Sequence, residues 1–290
     1  MACTMDSKIV IWSLLNRERI VALIEHGRGV LGLSVSGDDR FMVTFGGDMA
    51  IFMMGLTQHK IAARLESHSN NVYDFQTSPC GRYGASGGMD INLRIWDVHE
   101  HTLLHSIRSH NDTINAVSWS TNAKYLVTGS FDSHAIVYDV EKNFERIRSI
   151  EPDGWRTVYG VAFSADCKCV IITADVHIRV FSLENGQEVG VMSGHTKQVR
   201  CLAMTTDGTY LVSGAHDRTI KVWTMNNMME YRNMAGHNNF VLKVKVTPNN
   251  RNVISSSSDN TLRMWDIEEG KPIATLSGHC LLYTSDAADE

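Results

Sequence analysis

Seven aspartates, Asp6, Asp48, Asp90, Asp132, Asp175, Asp217 and Asp259, recur at steps of 42, 42, 42, 43, 42 and 42 residues. A step held to within one residue along the chain means that one supersecondary unit is copied in tandem, which restricts the fold to repeat architectures. Six residues after each aspartate stands a large side chain: Trp12, Met54, Trp96, Tyr138, Phe181, Trp223 and Trp265. A histidine column, His26, His68, His110, His195, His237 and His279, keeps the same step, 22 residues ahead of its aspartate, and skips only the unit near Asp153 and Gly154.

Between these markers the pattern is strand-like. Tyr125-Leu126-Val127-Thr128-Gly129-Ser130 and Thr219-Ile220-Lys221-Val222-Trp223 are short β-rich runs, and Ser78-Pro79-Cys80-Gly81, Thr206-Asp207-Gly208 and Thr247-Pro248-Asn249-Asn250 read as tight turns. No segment holds a helical period, so each unit is expected to supply about four short antiparallel strands.

Ser193-Gly194-His195 leading to Asp217-Arg218-Thr219-Ile220-Lys221-Val222-Trp223, with Trp96-Asp97 and Trp265-Asp266, resembles the tryptophan-aspartate (WD) repeat family over residues 1–279. The resemblance implies an all-β fold, a β-propeller of four-stranded antiparallel blades packed radially. The expected layout is a half blade at 1–25 and full blades at 26–67, 68–109, 110–152, 153–194, 195–236 and 237–279. Six full blades and a half are expected to belong to a seven-bladed or longer array, the chain being a fragment of a larger protein. Residues 280–290 carry no repeat character, look like a translated adapter and are set aside as a non-native tail.

His and Asp invite a catalytic reading, but a catalytic set needs one copy and these recur in every unit. The resemblance implies a structural network instead: the histidine bonds the turn aspartate, a hydroxyl on the second strand meets the histidine, and the indole N–H completes the set. Full sets are His68, Ser86, Asp90 and Trp96; His195, Ser213, Asp217 and Trp223; and His237, Ser255, Asp259 and Trp265. The set weakens in His110, Thr128, Asp132, Tyr138 and in His26, Thr44, Asp48, Met54. The fourth blade, with no histidine, Ile171 and Ile172 at the hydroxyl position and Phe181 for tryptophan, must be held by apolar packing.

Three motifs are set aside. Gly27-Arg28-Gly29-Val30-Leu31-Gly32 matches a dinucleotide fingerprint but opens a strand rather than a helix. Cys167-Lys168-Cys169 lies in one turn with no second cysteine pair, and Asn111-Asp112-Thr113 is a glycosylation acceptor only in a secreted protein. No catalytic residue, metal or cofactor is expected.

The resemblance implies partner binding on the face that carries the blade-joining loops. Residues reaching that face include Tyr73, Met89, Phe131, Tyr159, Arg200, His216, Phe240 and Leu242, a set rich in interface anchor types. The expected function is a non-enzymatic scaffold or regulatory propeller that binds a protein or peptide. The alternatives are a subunit of a nucleic-acid-associated complex and a propeller enzyme with a site in the central channel. A net charge of -5 argues against nucleic acid, and no run approaches the roughly 18 apolar residues of a membrane span. Six scattered cysteines suggest no disulfide framework, which favours a reducing compartment, the cytoplasm or the nucleus. A small-molecule substrate is not expected.

Overall fold

The computed structural model describes residues 2–3, 8–12, 19–24, 26–58, 60–152 and 157–277. Asp6, the Trp12 side chain, Asp153 and Gly154, His279 and the 280–290 tail lie outside the described residues.

Six four-stranded antiparallel sheets follow one another along the chain, each paired in sequence order, and a three-stranded sheet of Ala2–Cys3, Lys8–Trp12 and Arg19–Ile24 precedes them. The six inner strands are Val30–Val35, Val72–Thr77, Ile114–Trp119, Val161–Phe163, Val199–Met204 and Val241–Val246. Each inner strand lies against the next, so the sheets are blades of a propeller around one axis.

The second strand of each of the first five blades is buried almost throughout, whereas Asn252–Ser257 of the sixth is buried only at alternate residues. Tyr125–Ser130 and Tyr210–Ala215 run from one half-buried residue into five buried ones, because both faces of the strand meet a neighbouring blade. Every apolar cluster therefore straddles two blades. Val43, Phe45 and Met53 of the first blade pack on Val72, Phe75 and Trp96 of the second. Val212, Ile220 and Val222 of the fifth meet Val241, Val244 and Trp265 of the sixth. Ile9 and Ile11 of the three-stranded sheet cover Val30, Met42 and Met54 of the first.

The turn between second and third strands carries the repeated aspartate. Just after it the backbone enters the left-handed region, at Met49, Ile91, Ser133, Arg218 and Asn260, with φ of 66°, 60°, 71°, 71° and 64°. A β-branched residue such as Ile91 is strained there, so the turn must be held by other bonds.

The fourth blade departs from this pattern. The 42-residue column aligns Asp175 with the turn aspartates, but the backbone places it one step further on: Asp175 is itself the left-handed residue, at φ 58°. Ala174 pairs with His177 across a two-residue turn and is buried. The step of 43 residues before this aspartate is the sequence mark of that shift. Apolar packing covers both sides of the blade, with Val161, Val170, Ile172 and Phe181 toward the third blade and Ile171, Ile178, Val180 and Met192 toward the fifth. Its inner strand pairs over only three residues. Amides of Cys169–Ala174 should therefore exchange faster with deuterium than those of Tyr83–Gly88 in the second blade, the gap reflecting about 1 kcal/mol or more of opening free energy. Slower exchange in the fourth blade would reverse this ranking.

Candidate partner-binding face

The face is shaped by the loop ahead of each inner strand and by the aspartate turn beside it, and a side-chain tether joins the two. In the second blade His68 Nδ1 donates to Asp90 at 2.9 Å, the Ser86 hydroxyl donates to His68 Nε2 at 2.7 Å, and the Trp96 indole donates to Ser86 Oγ at 2.8 Å. A carboxylate can only accept, which places the imidazole proton on Nδ1 and leaves Nε2 for the hydroxyl. The Ser69 N–H adds a bond to Asp90 at 3.0 Å. His195, Ser213, Asp217 and Trp223 repeat this chain in the fifth blade, and His237, Ser255, Asp259 and Trp265 in the sixth. His110 and Thr128 bond at 2.7 Å and His26 and Thr44 at 3.0 Å, so those tethers keep the hydroxyl but lose the indole.

Sequence reasoning missed three supports. Arg94 Nη1 donates to Asp90 at 2.6 Å, giving the second blade a buried guanidinium. Thr219 and Thr261 hydroxyls donate to Asp217 and Asp259 at 2.6 and 2.7 Å. In the fourth blade Thr173, one residue beyond the expected hydroxyl position, accepts the N–H groups of Tyr159 and Gly160 at 3.1 and 2.8 Å and so fixes the loop without a histidine. A two-residue turn signal at Asp175-Val176 would have shifted the alignment and found it.

Burial alone would raise the carboxyl of Asp90, but hydrogen bonds from His68, Ser69 and Arg94 outweigh it and hold it well below the usual range. Asp132, Asp217 and Asp259 are depressed by the same balance. Burial pushes the His68 and His237 imidazoles below their ordinary value despite their carboxylate partners, so both stay neutral.

Held on this frame, five of the face residues form two linked centres. Phe131 and Tyr159 meet edge to face at 5.4 Å, and the Arg200 guanidinium lies 4.3 Å above the Tyr159 ring. His216 stacks on Phe240 at 4.3 Å, and burial, then Arg200 and Lys197, lowers its pKa. Phe131 and Phe240 keep 37% and 38% of their surface exposed although each already has an aromatic partner, so the stacks do not bury them. Met89 and Leu242 are exposed at 48% and 40%, Tyr73 is half-buried, and none of the three makes a ring contact with the two centres among the described residues.

The WD domain, G-beta repeat, family model matches residues 59–97, 101–139, 186–224 and 229–266, more than half of the chain. The chain belongs to the WD-repeat family. No curated protein matches it in sequence. Each matched stretch of this WD-repeat chain starts at the outer strand of one blade and ends with the third strand of the next, so the sequence repeat is offset from the structural blade. The unmatched stretches include the inner strands of the first and fourth blades, where Met54 and Phe181 replace tryptophan.

Two measurements test the tether. The tethers' contribution to stability should be level above pH 6.5 and fall on acidification. His68 and His237 have folded pKa values below 6.5, so the unfolded chain takes up protons first, and the depressed aspartates add a second loss below pH 3.8. A urea midpoint that rises between pH 7 and 5 would contradict this sign. Separately, the Tyr138 hydroxyl is buried without a hydrogen bond among the described residues, so Tyr138→Phe should leave the thermal midpoint unchanged or raise it, whereas Trp223→Phe should cost about 1 kcal/mol or more.

Proposed function

We propose that this WD-repeat propeller is a non-enzymatic interaction platform, binding a protein or peptide partner through the Phe131, Tyr159, Arg200, His216 and Phe240 surface. Propellers of its family generally serve as protein-interaction scaffolds. The observation that carries the site assignment is the pairing of exposure with rigidity. Phe131 and Phe240 keep over a third of their surface in solvent while in contact with aromatic partners, edge to face in one case and stacked in the other, and Arg200 and Leu242 lie on inner strands. Rigid aromatic side chains that lose little entropy on docking are the usual anchors of an interface.

Charge decides what the partner brings. Arg200 and Lys197 are both close enough to disfavour a proton on His216, so the surface is locally cationic although the chain is net acidic. The fitting segment presents an apolar or aromatic side chain with a carboxylate beside it. The repeated His and Asp side chains are engaged in the tethers, which argues against a catalytic role for them.

The test is affinity capture from cells with wild type and the Phe131→Ala, Tyr159→Ala double variant, after confirming equal thermal unfolding. Specific partners should be lost, or weakened by about tenfold or more in a binding titration. Partners retained by the folded double variant would move the interface to another surface of the propeller.

A further inference from the structure

The repeat supplies its own internal control. Where every blade carries the same residue, packing explains it; where one blade departs at a position that registers with the others, some other requirement acts. Along the inner strands, the residues paired at one level are Gly32, Ala116 and Cys201, with Gly160 joining them through its carbonyl bond to the Thr173 N–H, all small or uncharged. At that level the second blade has Asp74 and the sixth has Lys243. Two residues further along, Ser34, Gln76, Ser118, Ala162 and Ala203 stand where the sixth blade has Lys245.

These three charged departures meet. Lys243 Nζ donates to Asp74 Oδ1 at 3.0 Å, a contact between inner strands of the second and sixth blades, 169 residues apart in sequence, that crosses the axis. The other carboxylate oxygen of Asp74 accepts the Val117 N–H at 3.0 Å. The Asp74 side chain is only 5% exposed, so the pair is fixed from the acidic side. Lys245 follows Lys243 by two residues and therefore projects from the same side of its strand. Among the described residues it makes no hydrogen bond and no ion pair, although it is accessible to water. Lys243, Asp74 and the Cys201 thiol all act on its charge, and enclosure by the inner strands together with Lys243 lowers its pKa. On the strand face it shares with Lys243, whose side chain reaches across the axis to Asp74, Lys245 lines the axial channel.

Two lysine side chains therefore share one carboxylate whose second oxygen is already engaged, and an oxyanion beside Lys245 would favour its protonated form against the lowering. We propose that the axial channel is a binding site for a phosphate-class oxyanion, held between Lys243 and Lys245. Ammonium groups bind phosphate oxygens as point charges and need no bidentate geometry. Inorganic phosphate or a phosphorylated side chain inserted from a partner would supply the same group.

Isothermal titration of the 290-residue protein with sodium phosphate and with O-phosphoserine, at low ionic strength and with sodium chloride as the control for screening, tests the site. Saturable binding is expected in wild type for at least one of the two. Phosphoserine alone would assign the site to a phosphorylated partner, and binding of both would assign it to the phosphoryl group as such. Lys245→Met should weaken binding by about tenfold or more, and Asp74→Asn, which releases Lys243, should tighten it. A purely structural role for Asp74 would not produce that gain. Circular dichroism checks that the variants are folded, and Lys245→Met alone decides between the outcomes if Asp74→Asn does not fold. No saturable binding of either ligand, or equal affinity in folded Lys245→Met, would overturn the proposal. The Phe131→Ala, Tyr159→Ala protein should keep its isotherm, so this site and the partner-binding face fail or stand separately.

Discussion

No blade of this protein can cover its own apolar faces. A four-stranded sheet is one layer, and residues such as Val212 and Val222 are covered by Val241 and Val244 of the next blade. The hydrophobic effect therefore acts between repeats rather than within them, and stability accumulates as a series of nearest-neighbour interfaces. The buried second strands of the first five blades, the turns and the face with its loops all depend on that radial packing.

The tether solves a problem this packing creates. Apolar contact is not directional, and it does not fix where a loop sits above the sheet. The His–Asp bond does, because it joins the loop ahead of the inner strand to a turn held in a left-handed conformation. The fourth blade shows the tether is one solution among others. There Thr173 grips the Tyr159 and Gly160 amides, and the loop it fixes carries Tyr159, the residue on which Phe131 and Arg200 converge. The blade that has lost the repeated polar set thus holds the centre of the proposed surface, in keeping with the view that functional sites sit where local rules are relaxed.

The repeat period was legible because it is imposed by chain geometry: each blade needs the same number of residues to go out and return. The His, Ser and Trp positions were legible for the same reason, since each performs the same job at each step. Arg94 and Thr173 were not: Arg179, Lys221 and Arg263 hold the position of Arg94 in other blades, yet among the described residues Arg94 alone has a bond to its turn aspartate, and Thr173 stands where other blades have no hydroxyl that grips the loop amides. Asp175 misled in the opposite way, since its spacing imitates a turn aspartate while the shortened hairpin moves its backbone one position on.

By itself the sequence determined the architecture, the blade order and the repeated His, hydroxyl, Asp and Trp members of the tethers, all of which follow from local spacing repeated at a fixed period. Only the tertiary structure decided which side chains from different repeats meet. Phe131 with Tyr159, His216 with Phe240 and Asp74 with Lys243 are contacts between blades, the last across 169 residues. The physical reason is that closing the blades around an axis brings together positions whose separation along the chain carries no local signal.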